Sequence, residues 1–302
     1  MRPASDLPSL QDRTVVVTDG ASDIGTSVVD GLLRLGATVH CIVPDSGQGA
    51  RLRAHMPAEM RERLMAHAGD LSRLEETRTL AEVLLSTTER IDVLVDLAET
   101  FSATFHETID GIERTFAYNH LSRFLLTNLL MARLRASSPA RIISASSVAH
   151  LHHRVDPEDW ENRDRYDGWI AYCRSKQCDL LFVKALARRL DPAAVTANAV
   201  DLGLRRDVVS KERLPVHARI LRPFLTKAPE TSVDSLLWLA ASPEVEKVTG
   251  RYFVKREMRK PAAETEHEDL QEALWATSLE RTGTGVHGAK PLGGPGGLPV
   301  FR

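Results

Sequence analysis

Short apolar, β-branched runs alternate along the chain with segments whose apolar residues recur every three or four positions. The runs Thr14–Thr18, Thr38–Val43, Leu64–His67, Val93–Val95, Arg141–Ala145, Thr196–Val200 and Arg251–Val254 read as strands. Between them the helical pattern predicts one helix starting at Ile24, a longer one over Gly111–Arg135, and another from about Trp169 to Leu190. In SRFLLTNLLMARL the apolar positions keep helical spacing, so Arg123 and Arg133 are expected on its less buried faces. Strands alternating with helices predict a single α/β domain built on a doubly wound parallel sheet of about seven strands.

Two segments break the rhythm. The polar stretch His150–Gly168 is expected to be a loop over one end of the sheet, with Trp160 or Tyr166 packing at a substrate mouth. Its His150, His152, His153, Asp156, Glu158 and Asp159 resemble a metal cluster in composition only, and no metal site is expected. The Gly/Pro-rich tail, residues 282–302, has little to bury and is expected to be flexible, which leaves residues 1–281 as the domain.

Composition narrows the class. A chain of 302 residues that is 43% hydrophobic and 26% charged is long enough for a sizeable core and reads as globular. A net charge of −2 gives no pull toward nucleic acid or an acidic membrane surface. Nothing approaches the roughly 20 apolar residues that span a bilayer, and the N-terminus lacks a signal-peptide core. Cys41, Cys173 and Cys178 have no metal-type spacing and read as reduced residues of a cytoplasmic protein, Cys173 as a packing residue.

The chemistry concentrates in AYCRSK, which puts Tyr172 and Lys176 four residues apart on one helix face. RIISASS delivers Ser146 and Ser147 at a strand's carboxyl end, where open α/β sheets place ligands. VVVTDGASDIG has the strand–turn–helix setting of a dinucleotide-binding unit.

With these motifs the chain resembles the short-chain dehydrogenase/reductase family, closest to its retinol-dehydrogenase-like branch. NHLSRFLLTNLL, ASSVAH, AYCRSK, the Ser242–Glu244 and Gly250–Phe253 stretches, Lys260–Pro261 and Leu274–Trp275 carry the likeness over roughly residues 10–280. The resemblance implies a Rossmann-like fold and a tetrad of Asn119, Ser147, Tyr172 and Lys176. In it Tyr172 is the acid/base, its hydroxyl lowered from a reference pKa near 10 by the Lys176 ammonium. Lys176 also holds the nicotinamide ribose, Ser147 bonds the substrate oxygen, and Asn119 anchors a water. NAD or NADP is implied, with contacts from Thr18, Gly20, Ser22, Ile24, Gly25, Asp70, Ala98 and Gly203. Also implied are a substrate lid at about 203–228, within which Arg205–Leu225 is the variable part, a fairly apolar small-molecule substrate, and a homo-oligomer.

The departures cluster on the nucleotide side. Asp19 and Asp23 stand where the family's turn has glycine, and Asp96-Leu97-Ala98-Glu99 where it has Asn-Asn-Ala-Gly. Val43 and Pro44 replace the residues that choose between NAD and NADP, leaving Asp45 to reach a ribose, and Leu202-Gly203 replaces Pro-Gly. Asp23 falls at a helix N-cap position, where its carboxylate would compete with phosphate for the same N–H groups. Like charges about 4 Å apart at an effective dielectric near 20 repel by roughly 4 kcal/mol, so weak or absent cofactor binding is expected. Hydride transfer is therefore accompanied by two alternatives. One is a redox-silent dehydratase, isomerase or cyclase using Tyr172 and Lys176, and the other is a non-catalytic partner protein of the same fold.

Overall fold

The computed structural model describes residues 7–205, 208 and 229–284. The lid beyond Arg205, apart from Val208, and the tail beyond Thr284 lie outside the described residues. Eight strands form one sheet: β1 (Thr14–Val17), β2 (Thr38–Val43), β3 (Leu64–Ala68), β4 (Val93–Asp96), β5 (Ala140–Ser146), β6 (Val195–Asp201), β7 (Tyr252–Val254) and β8 (Glu257–Arg259). Their order is β3-β2-β1-β4-β5-β6-β7-β8. The first seven run parallel and β8 folds back antiparallel on β7. The sheet therefore has one strand more than the sequence pattern predicts. The missed strand, Glu-Met-Arg, is exposed throughout, so it carries no apolar run to announce it.

The helices are α1 (Asp23–Arg34), α2 (Ser46–His55), α3 (Leu74–Thr87), α4 (Arg114–Phe116), α5 (Ser122–Ala136), α6 (Gly168–Arg189), α7 (Pro229–Ala241) and α8 (Glu268–Thr282). Alternation along β1 divides the core. Val15 and Val17 pack on one side with Val28, Leu32 and Leu237 of α1 and α7. Val16 packs on the other with Leu80, Phe124 and Phe182 of α3, α5 and α6. Each of these buried side chains stabilises the fold by about 1.5–3 kcal/mol.

The long helix expected over Gly111–Arg135 begins at Arg114 and is interrupted by a π turn over Ala117–Leu121. Gly111 takes a φ of +72°, and the Glu113 carboxylate caps the first turn by accepting from the Thr115 and Phe116 N–H groups. Arg123 does not mark an exposed face: it is fully buried, paired with Asp96 and Asp179. A single charge at helical spacing reads as surface unless its partners, far away in sequence, are known. The segment His150–Gly168 is polar but partly packed. It opens inside a 3-10 turn (Val148–Leu151), buries Trp160, Glu161 and Asn162, and ends where Asp167 caps α6.

The strand order reverses between β1 and β4, and open sheets of this kind bind ligands beyond the carboxyl ends of the strands at that crevice. The turn after β1 forms one wall. Gly20 packs so closely on β2 that a Cβ would sit 2.6 Å from the Cys41 Cβ. A Cβ on Gly25 would lie 2.1 Å from the Asp19 carbonyl oxygen, so the turn cannot accept any side chain there.

Candidate active site

Ser147, Tyr172, Lys176 and Asn119 meet beyond β4 and β5. Ser147 follows directly on β5 and caps the 3-10 turn with a 3.3 Å bond from the Ala149 N–H. Tyr172 and Lys176 share one face of α6, and the Lys176 Nζ stands 5.5 Å from the Tyr172 ring centroid. Asn119 sits in the π turn, an irregularity frequent at functional sites. Its Oδ1 accepts from the Thr100 N–H at 2.7 Å, and its Nδ2 donates to the Thr100 carbonyl at 3.0 Å and the Ser175 hydroxyl at 2.9 Å. The amide thus clamps the loop after β4 to α6.

Glu99 changes the electrostatics of this group. The Tyr172 hydroxyl donates to Glu99 Oε1 at 2.6 Å, and Ser147 stands beside it as a lowering influence. Lys176 Nζ lies 3.5 Å from Glu99 Oε2 and 3.2 Å from Asp179 Oδ2. All these side chains are buried. Burial, then the Glu99 charge and hydrogen bond, push the Tyr172 hydroxyl well above the ordinary phenol value, against Ser147, which pulls it down. This reverses the expected lowering: burial first, and then the carboxylate that accepts its hydrogen bond, hold Tyr172 as a neutral phenol. Its ring is packed between Trp169 and Phe101, both with centroids 5.9 Å away.

A second buried charge group lies behind the first. Arg123 pairs with Asp179 and, at 3.1 Å, with Asp96. Burial works against its charge, but the two carboxylates outweigh it and raise its pKa further. Burial raises the Asp179 carboxyl, with Arg123 and Lys176 opposing. Asp96 also accepts from the Thr18 hydroxyl at 2.8 Å, while that hydroxyl accepts from Leu97 N–H at 2.8 Å and Ala98 N–H at 3.0 Å. Thr18 and Ala98 therefore stitch β1 to the end of β4 and do not line the crevice.

The two aspartates of the turn behave differently from expectation. Asp19 is buried in the left-handed region at φ +52°, which aspartate tolerates better than most residues. Its Oδ1 accepts from the Tyr118 hydroxyl at 2.6 Å and its Oδ2 from the Glu99 N–H at 3.1 Å. Burial raises its pKa, with Arg205 the strongest opposing influence. Asp23 is not the N-cap of α1. Ser22 is, accepting from the Gly25 N–H at 3.1 Å, and Asp23 is an exposed first-turn residue. The reason is a turn one residue tighter than the spacing implied, closed by Ser22 N–H to the Asp19 carbonyl at 3.0 Å.

A cavity of about 570 Å³ runs along this crevice, lined by Ser22, Asp70, Pro44, Arg114, Arg205 and Glu99 among others. Of the expected cofactor contacts, Ser22 and Asp70 line it. Gly20, Ile24 and Gly25 shape its wall from within the turn and α1, and Gly203, at φ +70°, donates its N–H to Asp201 at 2.7 Å. Asp45 is spent as the N-cap of α2, accepting from Gln48 N at 2.8 Å and Nε2 at 2.9 Å, which removes it as a free ribose contact. The cavity falls in the size range of ligand pockets, and Arg114 and Arg205 bring positive charge to it. The crevice thus has the place of a dinucleotide site, but the Asp19, Asp23 and Asp70 carboxylates line it beside the two arginines and Glu99 caps its catalytic end. Glu99, Asp19 and Asp96 stand out in the sequence as substitutions. Their partners Tyr172, Tyr118 and Arg123 do not, because the pairings span 73, 99 and 27 positions of chain.

Comparison with known proteins agrees with this geometry. The family profile described as short chain dehydrogenase matches residues 13–213. Human retinol dehydrogenase 13 is 33% identical over 286 residues, covering 91% of this chain and 86% of that protein. Human retinol dehydrogenase 14 is 30% identical, covering 92% of this chain and 88% of that protein. Among solved structures, an uncharacterised protein from Mycobacterium paratuberculosis superposes with a TM-score of 0.76 at 28% identity, covering 94% of this chain and 98% of that one. The Pseudomonas aeruginosa RhlG/NADP active-site complex, at 24% identity and a TM-score of 0.61 over 84% of this chain and 97% of that one, bears on the fold alone.

Proposed function

We propose a reaction from the premise that the chain belongs to the short-chain dehydrogenase family and is an oxidoreductase of that family. It interconverts an alcohol and a carbonyl on a fairly apolar small molecule, either a secondary alcohol or a primary one such as the retinol named in its relatives, which is tested first. The observation that carries this reading is the convergence of Ser147 and Lys176 on Tyr172 at the carboxyl ends of the strands. A bound NAD or NADP supplies the hydride donor or acceptor, with Ser22, Asp70, Arg114 and Arg205 lining its crevice.

The protein's own residues handle the proton. Tyr172 passes it to the substrate oxygen in reduction and takes it back in oxidation. Ser147 donates a hydrogen bond to that oxygen as its charge changes. Lys176 favours the phenolate by its charge, an effect that grows as Glu99 leaves the hydroxyl. Asn119 keeps α6 and the Thr100 backbone in register, which fixes where Tyr172 points. The apolar rings of Trp169 and Phe101 exclude water from the oxygen's surroundings.

The test is oxidation and reduction of apolar alcohols and aldehydes, retinol included, with NAD(H) and NADP(H) in parallel. Tyr172→Phe is expected to lower kcat by about 10²–10⁴-fold. Turnover that survives Tyr172→Phe unchanged refutes the assignment, and turnover that needs no cofactor yet disappears in Tyr172→Phe favours a redox-silent proton-transfer reaction. We also propose a cytoplasmic location, supported by three buried free cysteines, and a homo-oligomer. No helix among the described residues is long and apolar enough to cross a membrane. Cell fractionation and light scattering test these two points.

A further inference from the structure

Glu99 is the charged residue that both lines the dinucleotide-sized crevice and touches Tyr172 and Lys176. Its backbone cannot yield. The Glu99 N–H is bonded to Asp19, and the next residue, Thr100, is gripped through both its N–H and its carbonyl by Asn119. Its side chain is held more lightly. Oε1 accepts from Tyr172, but Oε2 accepts no hydrogen bond and has only the 3.5 Å ion pair with Lys176.

The surroundings make departure of that side chain feasible. Lys176 keeps Asp179 at 3.2 Å when Glu99 turns away, so no buried ammonium is left unpaired. Asp179 in turn stays neutralised by Arg123. Arg114 and Arg205 line the same crevice and offer positive charge to a displaced carboxylate. Lys176 gives up one of its two carboxylates and the Tyr172 hydroxyl its acceptor, with Ser147 still beside it.

We propose that Glu99 is a latch that sets cofactor affinity: its carboxylate occupies Tyr172 and Lys176, and a nicotinamide cofactor engages them only after that side chain moves off them. The inference rests on the oxidoreductase reading, since it takes the ligand from there. It makes Glu99 a positioning residue. While latched, Tyr172 stays a neutral phenol pointing at a carboxylate; once released, its hydroxyl is free to face a substrate oxygen, beside Lys176.

The test compares wild type, Glu99→Gly and Glu99→Gln as full-length protein. Dissociation constants for NADH and NADPH are measured by calorimetry, and tyrosine ionisation by ultraviolet absorbance, with Tyr172→Phe identifying the Tyr172 signal. The latch predicts at least tenfold tighter cofactor binding in Glu99→Gly. Glu99→Gln should give a smaller gain, because the amide still accepts from Tyr172 but cannot hold Lys176 by charge. Tyr172 should ionise at lower pH in Glu99→Gly without any cofactor, a change that loss of a merely structural contact would not produce. Equal affinities within twofold for all three proteins overturn the latch and leave the oxidoreductase reading standing. An unchanged Tyr172 ionisation also overturns it. Binding in Glu99→Gly alone supports the latch. Absence of cofactor binding in all three overturns both readings.

Discussion

Removing the guanidinium of Arg123 gives the sharpest test of the buried charge group. In Arg123→Met the apolar volume is largely kept, while Asp96 and Asp179 lose their shared cation inside the core. Breaking a buried pair from one side costs about 3–5 kcal/mol, because the remaining charge is left uncompensated. Here Asp179 retains Lys176 at 3.2 Å and Asp96 retains the Thr18 hydroxyl at 2.8 Å, which points to the lower end, about 3 kcal/mol. Neutralising the partners as well, in Asp96→Asn/Arg123→Met/Asp179→Asn, should recover most of that loss, since no buried charge is then stranded.

The sign of the pH dependence is also fixed. Burial, the largest influence, raises Asp179, so the native state binds its proton more readily than the unfolded chain does. Its contribution to stability is therefore greatest below the ordinary carboxylate value near 4 and declines as pH rises from there through the raised native value. Loss of Arg123 widens that window, and the penalty of Arg123→Met should be larger at pH 7 than at pH 5. Urea unfolding monitored by circular dichroism at both values measures this. A single variant within about 1 kcal/mol of wild type at pH 7, below the range for a broken buried pair, refutes the reasoning.

Other consequences are as direct. Asp19→Gly removes both the left-handed strain and the acceptor that fixes the Glu99 N–H, so cofactor affinity measured by calorimetry should rise; Asp23→Asn, at an exposed site, should change it less than about threefold. Gly25→Ala should cost several kcal/mol in urea unfolding or prevent soluble expression, because its Cβ would meet the Asp19 carbonyl at 2.1 Å. His40, whose Nδ1 lies 3.0 Å from His67 Nε2, is pushed down to about 4 by burial and then by His67. Its stabilising contribution is present above the ordinary histidine value near 6.5 and is lost as pH falls through about 4, so His40→Leu should flatten the acid limb of a stability-versus-pH curve. All three cysteines are buried with thiols raised chiefly by burial, and a thiol reagent at pH 8 should label them only after denaturant is added.

What could be read from the chain was whatever local pattern encodes. β1–β7 announced themselves by short apolar runs, β-branched in all but β3, and the Tyr172–Lys176 spacing followed from helical geometry alone. β8 was illegible because an exposed three-residue edge strand has no buried face to imprint on its sequence. The π turn was illegible for a different reason: AYNHL has ordinary helical spacing, and the extra residue per turn coincides with a tertiary contact, the Asn119–Thr100 clamp, that spans 19 positions of chain. Asp19 and Glu99 were recognisable as foreign to a phosphate-binding turn. Charge alone suggested repulsion of a ligand, yet Asp19 turned out to be internal bracing, because Tyr118 lies a hydrogen bond away across the fold. Arg123 was misjudged as surface-facing for the same reason, its two carboxylates being 27 and 56 positions distant.

The antiparallel β8 has a consequence beyond the site. A parallel sheet ending at β7 would offer a bare row of backbone donors and acceptors to any other chain. Here the outermost strand is three residues long and carries Glu257 and Arg259, joined to each other by an ion pair. Its turn is tied back to α7 through Arg256 and Asp234. Short, charged edges of this kind discourage strand-on-strand addition, so growth of the sheet into a neighbouring molecule is disfavoured on that side, and copies of this protein that associate there would meet through helices and loops.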